Sequence, residues 1–528
     1  MKTIKVISKS LLSLILGCGL LTQSCTDKFE EFNTKPYTIS EEMMEYDNFG
    51  VGSFFPQLQQ YVIPNPSDKD AFVYQRTQNL FGDSYSGYIG TIGKWHSGVN
   101  STTYNFDSDW INDNFLAFVE IITAWRGVKK QTIDQDGKNP EVYALAQIIK
   151  VAGLHRLTDM YGPMPYSQID SVELVPYDSQ EAIYKSFFKE LDSAIDVLTD
   201  LAIADPSARF NADYDLVYQG DYTKWVKFAN SLKLRLALRI SKVAPEDAQK
   251  YAEAAVAHQI GVITSNGDNA QLPVENNPLE RITNGYDEIR MCASIESILK
   301  GYNDPRMSKY FKPGKNGDEE GYFGVRSGIQ ITNQAKYASA SRLNFEKNSP
   351  LMWLNAAEVS FLRAEGDILG WNMNGTAEEF YNQGIKHSFD QWGAGGYEAY
   401  VKNNVATPVE FKTSLAGGHN MPSGIKVTVK WDDAKAKTEK VEKILTQKWL
   451  ALYPNGQEGW SNYRRTGFPQ LFPVVNNNSG GKVDTKEQVK RIPFPHAEYQ
   501  TNGKNVEAAV VLLGGPDTGG TNLWWDVD

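Results

Sequence analysis

The sequence predicts an all-α fold of degenerate tetratricopeptide-like helix hairpins, joined by long irregular segments that contain a few short strands. Apolar residues at spacings of three and four run through residues 221–241, which is the period of one face of a helix. The same spacing recurs in residues 351–369 and again in a segment that begins at Thr376. Segments rich in Gly, Asn, Ser and aromatic residues separate these stretches. We therefore expect a helical scaffold that carries a second, loop-rich part.

The predicted helices have recognisable starts. Asp221 begins the first stretch, where its carboxylate can accept hydrogen bonds from the free N–H groups of the first turn. Thr376 and Glu379 form a capping box, in which each side chain bonds the backbone N–H of the other residue. The apolar stripes consist of Trp225, Phe228, Leu232, Leu236 and Ile240 in the first stretch, and of Leu354, Ala357, Phe361, Ala364 and Ile368 in the second.

The turn from Gly370 to Gly375 is short, so the helices on either side of it are expected to form an antiparallel hairpin. Such a hairpin is the unit of tetratricopeptide-type repeats. A similar pair is predicted at 141–158 with 180–199, and a further helix at 441–453. No strict internal period is visible, which indicates a degenerate array. Small residues are placed where the hairpin helices would touch: Ala356, Ala357, Ala364, Gly366 and Gly384.

The irregular segments are long. Loops of this length in a compact domain are usually functional. Within the last of them, apolar and polar side chains alternate from Ile425 to Trp431, which predicts a short strand. The segments are 82–110, 265–290, 312–350 and 393–436.

The first residues indicate export and attachment to a membrane through lipid. Basic residues precede an apolar run from Leu11 to Leu21 that is too short to span a bilayer, as in a signal peptide. The small residue Ser24 and then Cys25 follow, and the chain becomes polar and acidic directly afterwards. We expect cleavage before Cys25 and its acylation, palmitate included, because two or three acyl chains hold a protein firmly at a membrane. Acylation at Cys18, or an ordinary secretory signal, are the alternatives.

These features divide the chain into three parts. Residues 1–24 are interpreted as a lipoprotein signal peptide and residues 25–40 as a flexible, lipid-anchored tether. Residues 41–528 are interpreted as a single helical domain.

Composition and charge exclude several classes of protein. Hydrophobic residues make up 41% and charged residues 22% of the chain, as in an ordinary soluble globular protein. The net charge of −11 argues against a nucleic-acid partner, because phosphate binding needs a basic surface. Once Cys18 and Cys25 are assigned to the N-terminal segment, Cys292 stands alone, so no intramolecular disulfide is expected.

No sequence motif points to catalysis, a metal ion or a cofactor. The histidines lack metal-ligand spacing, and no phosphate-binding loop, dinucleotide fingerprint or nucleophile elbow is present. A glycan-cleaving hydrolase would need two carboxylates across the scissile bond. Glu358 and Glu365 are interpreted as polar-face or inter-helix residues, and Glu458, near Arg464 and Arg465, as an ion-pair partner. A hydrolase is therefore the least favoured hypothesis.

The segment 82–110 is the stronger candidate for function. Its aromatic residues follow neither helical nor strand periodicity and are mixed with Gly, Ser, Asn and Asp. Aromatic faces with polar groups nearby suit sugars, whose C–H faces stack on the rings while their hydroxyls form hydrogen bonds. The alternative for any single ring is that it anchors the loop to the core. The rings belong to Tyr85, Tyr88, Trp95, Tyr104, Phe106 and Trp110.

A series of motifs along nearly the whole mature chain resembles the SusD/RagB family of outer-membrane nutrient-binding lipoproteins. Each motif is weak alone, but their order and spacing together are specific. They are Cys25-Thr26-Asp27, DMYGPMPY at 159–166, WVKFANSLKLRLALR at 225–239, NDPR at 303–306, AEVSFLRAE at 357–365, QKW at 447–449, EGW at 458–460, YRRTG at 463–467, RIPFP at 491–495 and Trp524-Trp525.

The resemblance implies an all-α, non-catalytic binding lipoprotein that covers a SusC-type TonB-dependent transporter at the outside of the outer membrane. The repeat-containing side would face the transporter. The ligand would lie between the loop-rich side and the barrel, and it would be an oligosaccharide or, in the RagB-type alternative, a peptide. A purely structural transporter subunit is a further hypothesis.

The resemblance also implies where a ligand would lie, namely in 82–110 and in segments near 280–290 and 320–340. From these segments we expect ligand contacts from Tyr85, Tyr88, Trp95, Asn100, Tyr286, Arg290 and Tyr322. The most recognisable motif residues are expected to define the scaffold instead: Arg235, Arg239, Glu358, Glu365, Arg464 and Arg465.

Overall fold

Helices form most of the computed structural model, which describes residues 49–66, 71–415 and 419–527, and the predicted all-α class is confirmed. The predicted signal peptide, both N-terminal cysteines and the predicted tether 25–40 lie outside these described residues. In chain order the helices are α1 Phe49–Gly52, α2 Phe54–Gln60, α3 Phe72–Tyr74, α4 Ser108–Gln131, α5 Pro140–Tyr161, α6 Gln180–Ala204, α7 Tyr222–Arg239, α8 Pro245–Ala257, α9 Pro278–Glu280, α10 Ala293–Gly301, α11 Met307–Tyr310, α12 Ala356–Leu369, α13 Ala377–Gln391, α14 Tyr397–Tyr400, α15 Lys437–Leu452, α16 Gly456–Thr466, α17 His496–Thr501 and α18 Gly503–Leu513.

The strands are short and form antiparallel pairs. No larger sheet occurs within the described residues, as the sequence predicts. The pairs are β1 Ile89–Thr91 with β5 Ile289–Met291, β2 Met164–Pro165 with β3 Tyr177–Asp178, β4 Ala270–Leu272 with β8 Leu351–Leu354, and β6 Gly314–Asn316 with β7 Glu319–Gly321.

The long helices pack one on the next. Helix α4 packs on α5, α5 on α6, α6 on α7, and α7 on both α8 and α12. Helix α12 packs on α13 and α15, and α15 on α16. The predicted pairing of α5 with α6 and of α12 with α13 is therefore confirmed. Gly384 allows the second of these contacts, because a Cβ there would lie 2.7 Å from the Phe361 ring.

The predicted helix starts are confirmed in detail. The Asp221 carboxylate accepts a hydrogen bond from the backbone N–H of Lys224 at 3.1 Å and so caps α7. Thr376 and Glu379 form the capping box of α13.

Two local predictions need correction. Residues 351–354 form strand β8 rather than the first turn of a helix, and Asn355 caps α12 directly after it. The alternating stretch from Ile425 to Trp431 has its apolar side chains buried, yet it pairs with no strand of the described chain. Side chains satisfy its carbonyl groups instead, since the Lys443 ammonium donates to the carbonyls of Thr428 and Lys430 at 2.6 and 2.9 Å.

Buried ion pairs join the helices, as expected if the motif residues define the scaffold. Arg235 on α7 donates two hydrogen bonds of 2.7 Å to Glu358 on α12. Arg239, one turn later, donates to Glu458 on α16 at 2.6 Å and lies 3.2 Å from Asp159 on α5. Glu458 thus pairs with α7 rather than with the arginines that follow it in sequence. Burial alone would raise the pKa of Glu458, but Arg239 and Arg235 outweigh this effect and lower it to about 2.

The remaining motif residues lie in the same buried layer. Glu365 bonds Arg465 at 2.6 Å and lies 3.9 Å from the Lys448 ammonium. From Val51 onward the described residues form one compact unit. Among them, no helix has both the length and the apolar character that a membrane-spanning helix needs.

Candidate ligand-binding site

Strands β1 and β5 bring two of the predicted ligand segments together. Their register places Gly90 opposite Arg290 and Thr91 opposite Ile289. The contact continues beyond the strands, because the backbone N–H groups of Ile92 and Gly93 both donate to the Glu288 carbonyl, at 2.8 and 3.2 Å. The chain that leaves β1 is therefore fixed against the segment 280–290.

Trp95 follows at once, and its partly exposed ring is held from several sides. The half-buried Glu288 carboxylate accepts a hydrogen bond from Gln75 at 2.7 Å and lies close to the Trp95 side chain. Burial raises the pKa of Glu288, while both of these polar neighbours lower it. Gly93 lies against the ring, since a Cβ there would be 2.5 Å from ring atoms. The Trp110 ring on α4 meets the Trp95 ring nearly at right angles, with centroids 6.2 Å apart.

The backbone around Trp95 is strained. His96, Ser97 and Gly98 follow one another with φ values of 50°, 55° and 80°, which is the left-handed region. Non-glycine residues in this region cost about 1–3 kcal/mol each when the surroundings enforce them, and they cluster at ligand-holding sites. Asn100 supplies part of this support, because its side-chain amide donates to the Trp95 carbonyl at 3.0 Å.

A second wall of the site comes from residues 71–76. The backbone N–H of Ala71 donates to the Tyr286 hydroxyl at 3.1 Å. Phe72 is 46% exposed, and the Arg76 guanidinium lies 4.0 Å from the centre of its ring. Arg76 is also paired with Asp113 on α4 at 2.5 Å. Residues 71–76 thus connect Tyr286, Glu288 and the start of α4.

These residues define a patch, which we call the Trp95 cluster. The rings of Phe72, Trp95, His96 and Tyr286 are exposed or partly exposed, with amide, carboxylate and hydroxyl groups at their edges, whereas the Trp110 ring is buried and supports Trp95. Such an arrangement can stack on a flat apolar face and bond polar substituents around it. The cluster consists of Phe72, Arg76, Trp95, His96, Trp110 and Tyr286.

Sequence reasoning did not select Phe72 and Arg76. They lie in a helical stretch, α3 and the π-helix Gln75–Asp83 that continues it, and not in a glycine-rich loop. The π-helical turn is the one local signal, because such turns are frequent at functional sites, but it is not visible in the sequence.

The structure separates the predicted ligand contacts into exposed and buried groups. Trp95, Tyr286 and Tyr322 are partly exposed. Tyr88 has no exposed surface and packs on Trp449, and Arg290 is equally buried and bonds Asp287 at 2.6 Å. Four of the predicted contacts have buried side chains that pack in the interior, and we do not assign them to the site: Tyr85, Tyr88, Asn100 and Arg290.

Tyr322 lies apart from the others. It directly follows β7 and packs partly against the core. Within the described part of the chain, no hydrogen bond or ring contact joins it to the Trp95 cluster. Its role in ligand contact stays a prediction.

A cleft of about 720 Å³ lies between residues 426–435 and helix α15, and it shares no lining residue with the cluster. Its lining carries lysines and acidic residues. The Trp431 ring there is buried and packs on Tyr381, so it offers no open face for stacking. The Trp95 cluster is therefore the better candidate site.

A family model described as SusD and RagB outer membrane lipoprotein matches residues 31–526. The chain belongs to the SusD/RagB family. The solved SusD homologues give its fold an independent match, whereas no curated protein sequence matches significantly. A chitin-binding SusD homologue from Flavobacterium johnsoniae is 41% identical, over 90% of this chain and 99% of that one, with a TM-score of 0.85.

Two further SusD homologues support the same assignment. One from Bacteroides uniformis is 40% identical, over 91% of this chain and 100% of that one, with a TM-score of 0.85. One from Bacteroides vulgatus is 35% identical, over 92% and 99% of the two chains, with a TM-score of 0.86. This SusD-like chain therefore has the family's architecture over nearly all of its described residues.

Proposed function

We propose that this SusD-like protein binds oligosaccharides at the Trp95 cluster and delivers them to a SusC-type TonB-dependent transporter. One observation carries the proposal, namely the partly exposed Trp95 ring that Glu288, Gly93 and Trp110 hold in one orientation. A ring fixed before binding loses little conformational entropy when a sugar stacks on it, so more of the contact energy appears as affinity.

The first ligands to test follow from the family. The homologue from Flavobacterium johnsoniae is described as chitin-binding. Oligomers of N-acetylglucosamine are therefore the first probes, with other neutral oligosaccharides beside them. Their flat C–H faces suit Trp95, and their hydroxyl and amide groups suit polar neighbours such as Arg76.

Delivery to a transporter requires the protein to stay at the outer membrane. We propose that the acylated Cys25 anchors it, facing the cell exterior, and that residues 25–40 tether the body so that it can move as a lid. The basic and apolar N-terminal sequence, the acidic residues after Cys25 and family membership support this arrangement. Replacing Cys25 by Ser should release a folded protein from the membrane. Retention of an acylated protein would instead assign the lipid to Cys18.

We propose that the protein does not hydrolyse its ligand. The carboxylates that sequence inspection singles out, Glu358, Glu365 and Glu458, are buried and paired with arginines. A glycosidase needs its carboxylates free and exposed to the scissile bond. Release of reducing ends from a glycan panel by the purified protein would contradict this part of the proposal.

The central experiment is calorimetric titration of purified protein with N-acetylglucosamine oligomers, comparing wild type with Trp95→Ala. We expect a loss of about 1–2 kcal/mol, or about 5–30-fold in affinity, because the ring is a central contact. Tyr251→Ala is the matched control: Tyr251 is also a partly buried ring, stacked on Phe188 at 3.9 Å on the helical side. The control should bind as wild type does.

The outcomes separate the hypotheses. Unchanged affinity of a folded Trp95→Ala protein would remove Trp95 from the site. If the protein binds peptides but no glycan, it is still a binding protein, and its ligand class is that of the RagB-type alternative. Co-purification with a barrel, in the absence of any soluble ligand, would favour a purely structural subunit.

A further inference from the structure

Several charged groups around the Trp95 cluster already have a partner. Arg76 is paired with Asp113 at 2.5 Å, and the His96 ring nitrogen lies 3.3 Å from a carboxylate oxygen of Asp107. Asp107 also has a structural role, because it caps α4 by accepting hydrogen bonds from the N–H groups of Asp109 and Trp110, and Asp113 lies in the second turn of the same helix.

On the β5 side of the cluster, Asp287 follows this pattern and Glu288 does not. Asp287 is bonded by Arg290 at 2.6 Å and by Arg342 at 2.5 Å. Glu288 has no cationic partner in the described part of the chain. Its polar neighbours are the neutral side chains of Gln75, which donates a hydrogen bond to it at 2.7 Å, and of Trp95.

Few charged side chains near the cluster lack a partner of opposite charge. Lys94 and Arg281 are exposed at its rim, and among the described residues no carboxylate forms an ion pair with either. Asp109 is also exposed and carries a negative charge. Solvated charges of this kind contribute little to binding energy.

We infer that the Trp95 cluster selects uncharged sugar units over units that carry a carboxylate, a sulfate or a free amine. This inference rests on the proposed function and names the ligand class. An anionic sugar beside Trp95 would find Arg76 already bonded to Asp113 and would place like charges close together. A cationic sugar would meet Asp107, Asp113 and Asp287, which already have partners, and Glu288, which is half-buried and already accepts a hydrogen bond from Gln75. Either ligand would lose hydration and would gain only the solvated charges at the rim, which contribute little.

The test compares oligomers of matched length that differ in charge. The probes are a panel of neutral oligosaccharides that includes N-acetylglucosamine oligomers, their deacetylated cationic forms, and uronic-acid oligomers. We expect the charged oligomers to bind at least about 10-fold more weakly than the best neutral one. We also expect the affinity of the neutral oligomer to change less than about twofold between low and high salt, because no charge pairing contributes to it.

A variant sharpens the test by creating a free charge. Asp113→Asn leaves the Arg76 guanidinium without its carboxylate, so we expect the ratio of uronic-acid to neutral affinity to rise by about 5–10-fold. Asp170→Asn is the matched control. Asp170 pairs with Arg126 and Lys129 at 2.9 and 2.7 Å, and its side chain is 33% exposed, compared with 31% for Asp113. It lies outside the cluster, so its loss should leave the ratio unchanged.

The results distinguish this inference from the proposed function. Charged oligomers that bind wild type as tightly as neutral ones, or an Asp113→Asn ratio no higher than that of Asp170→Asn, would overturn the inference and leave oligosaccharide binding intact. A protein that binds no oligosaccharide of any charge would overturn the proposed function and this inference with it. The comparison of charged with neutral oligomers uses the wild-type protein, so it tests the inference even if a variant does not fold.

Discussion

Replacing Gly93 by Ala should displace the Trp95 ring without disturbing the backbone. Gly93 does not have a positive φ, so an alanine can adopt its conformation. The added methyl group, however, would lie 2.5 Å from atoms of the Trp95 ring, and Cβ atoms ordinarily make contacts at 3.4–4 Å. The ring must therefore move by roughly 1 Å, and a displacement of this size is enough to impair a binding site.

The size of the effect follows from what that movement breaks. The ring would lose its polar contact with the Glu288 carboxylate and its contact with Trp110. A polar contact with a carboxylate contributes at most about 1.5–3 kcal/mol, part of which the displaced ring recovers from water. We expect glycan affinity to fall by about 5–30-fold, corresponding to about 1–2 kcal/mol. Overpacking should lower the free energy of unfolding by about 1–3 kcal/mol at most.

Calorimetric titration with N-acetylglucosamine oligomers measures the loss of affinity, and thermal unfolding shows that the variant is folded. Gly267→Ala is the control, since its Cβ would meet no atom closer than 3.6 Å and its φ is not left-handed. The control should change neither quantity. If folded Gly93→Ala binds as tightly as wild type, the orientation of Trp95 does not determine affinity, and the reasoning from a preorganised ring is refuted.

Two further predictions concern the buried charges. Arg239→Met removes the cation closest to the buried Glu458 and Asp159 and should lower the free energy of unfolding by about 3–5 kcal/mol in denaturant titrations. Lys185→Met, at an exposed pair, should leave the denaturation midpoint unchanged, and equal midpoints for the two variants would contradict the role of the network. Burial raises the pKa of Asp83 from its usual 3.8 to about 7. The folded protein therefore holds this proton to a higher pH than the unfolded chain, so the stability it contributes is complete below about pH 4 and is lost as pH rises to about 7. Asp83→Asn should flatten that part of the stability profile, and an unaltered slope would show that another group is responsible.

The scaffold could be read from the sequence because its signals are local. The apolar spacing, the Asp221 cap and the capping box at Thr376 each involve residues within a few positions of one another. The strand predicted at 425–431 failed because alternation reports which side chains are buried, and not what satisfies the backbone. Here side chains such as Lys443 take that role.

The candidate site could be predicted only in part. The sequence identified the segment that contains Trp95, but it gave no reason to separate that exposed ring from Tyr88, which is fully buried a few residues earlier. It also gave no sign that Phe72 and Arg76 would join them, because only tertiary contacts bring residues 71–76 to Asp113 on α4 and to Tyr286. Composition marks a functional loop, whereas burial within the loop depends on distant parts of the chain.

The residues that make the family recognisable and the residues proposed to bind the ligand belong to different parts of the molecule. Asp159, Arg239, Glu358 and Glu458 lie in motifs and form the buried ionic network between helices. Trp95, by contrast, lies in none of those motifs and on the surface. Because the network fixes the scaffold without involving the cluster, loop residues can change without loss of the fold. Family membership therefore identifies the scaffold, and the ligand has to be determined from the rings and paired charges of this chain.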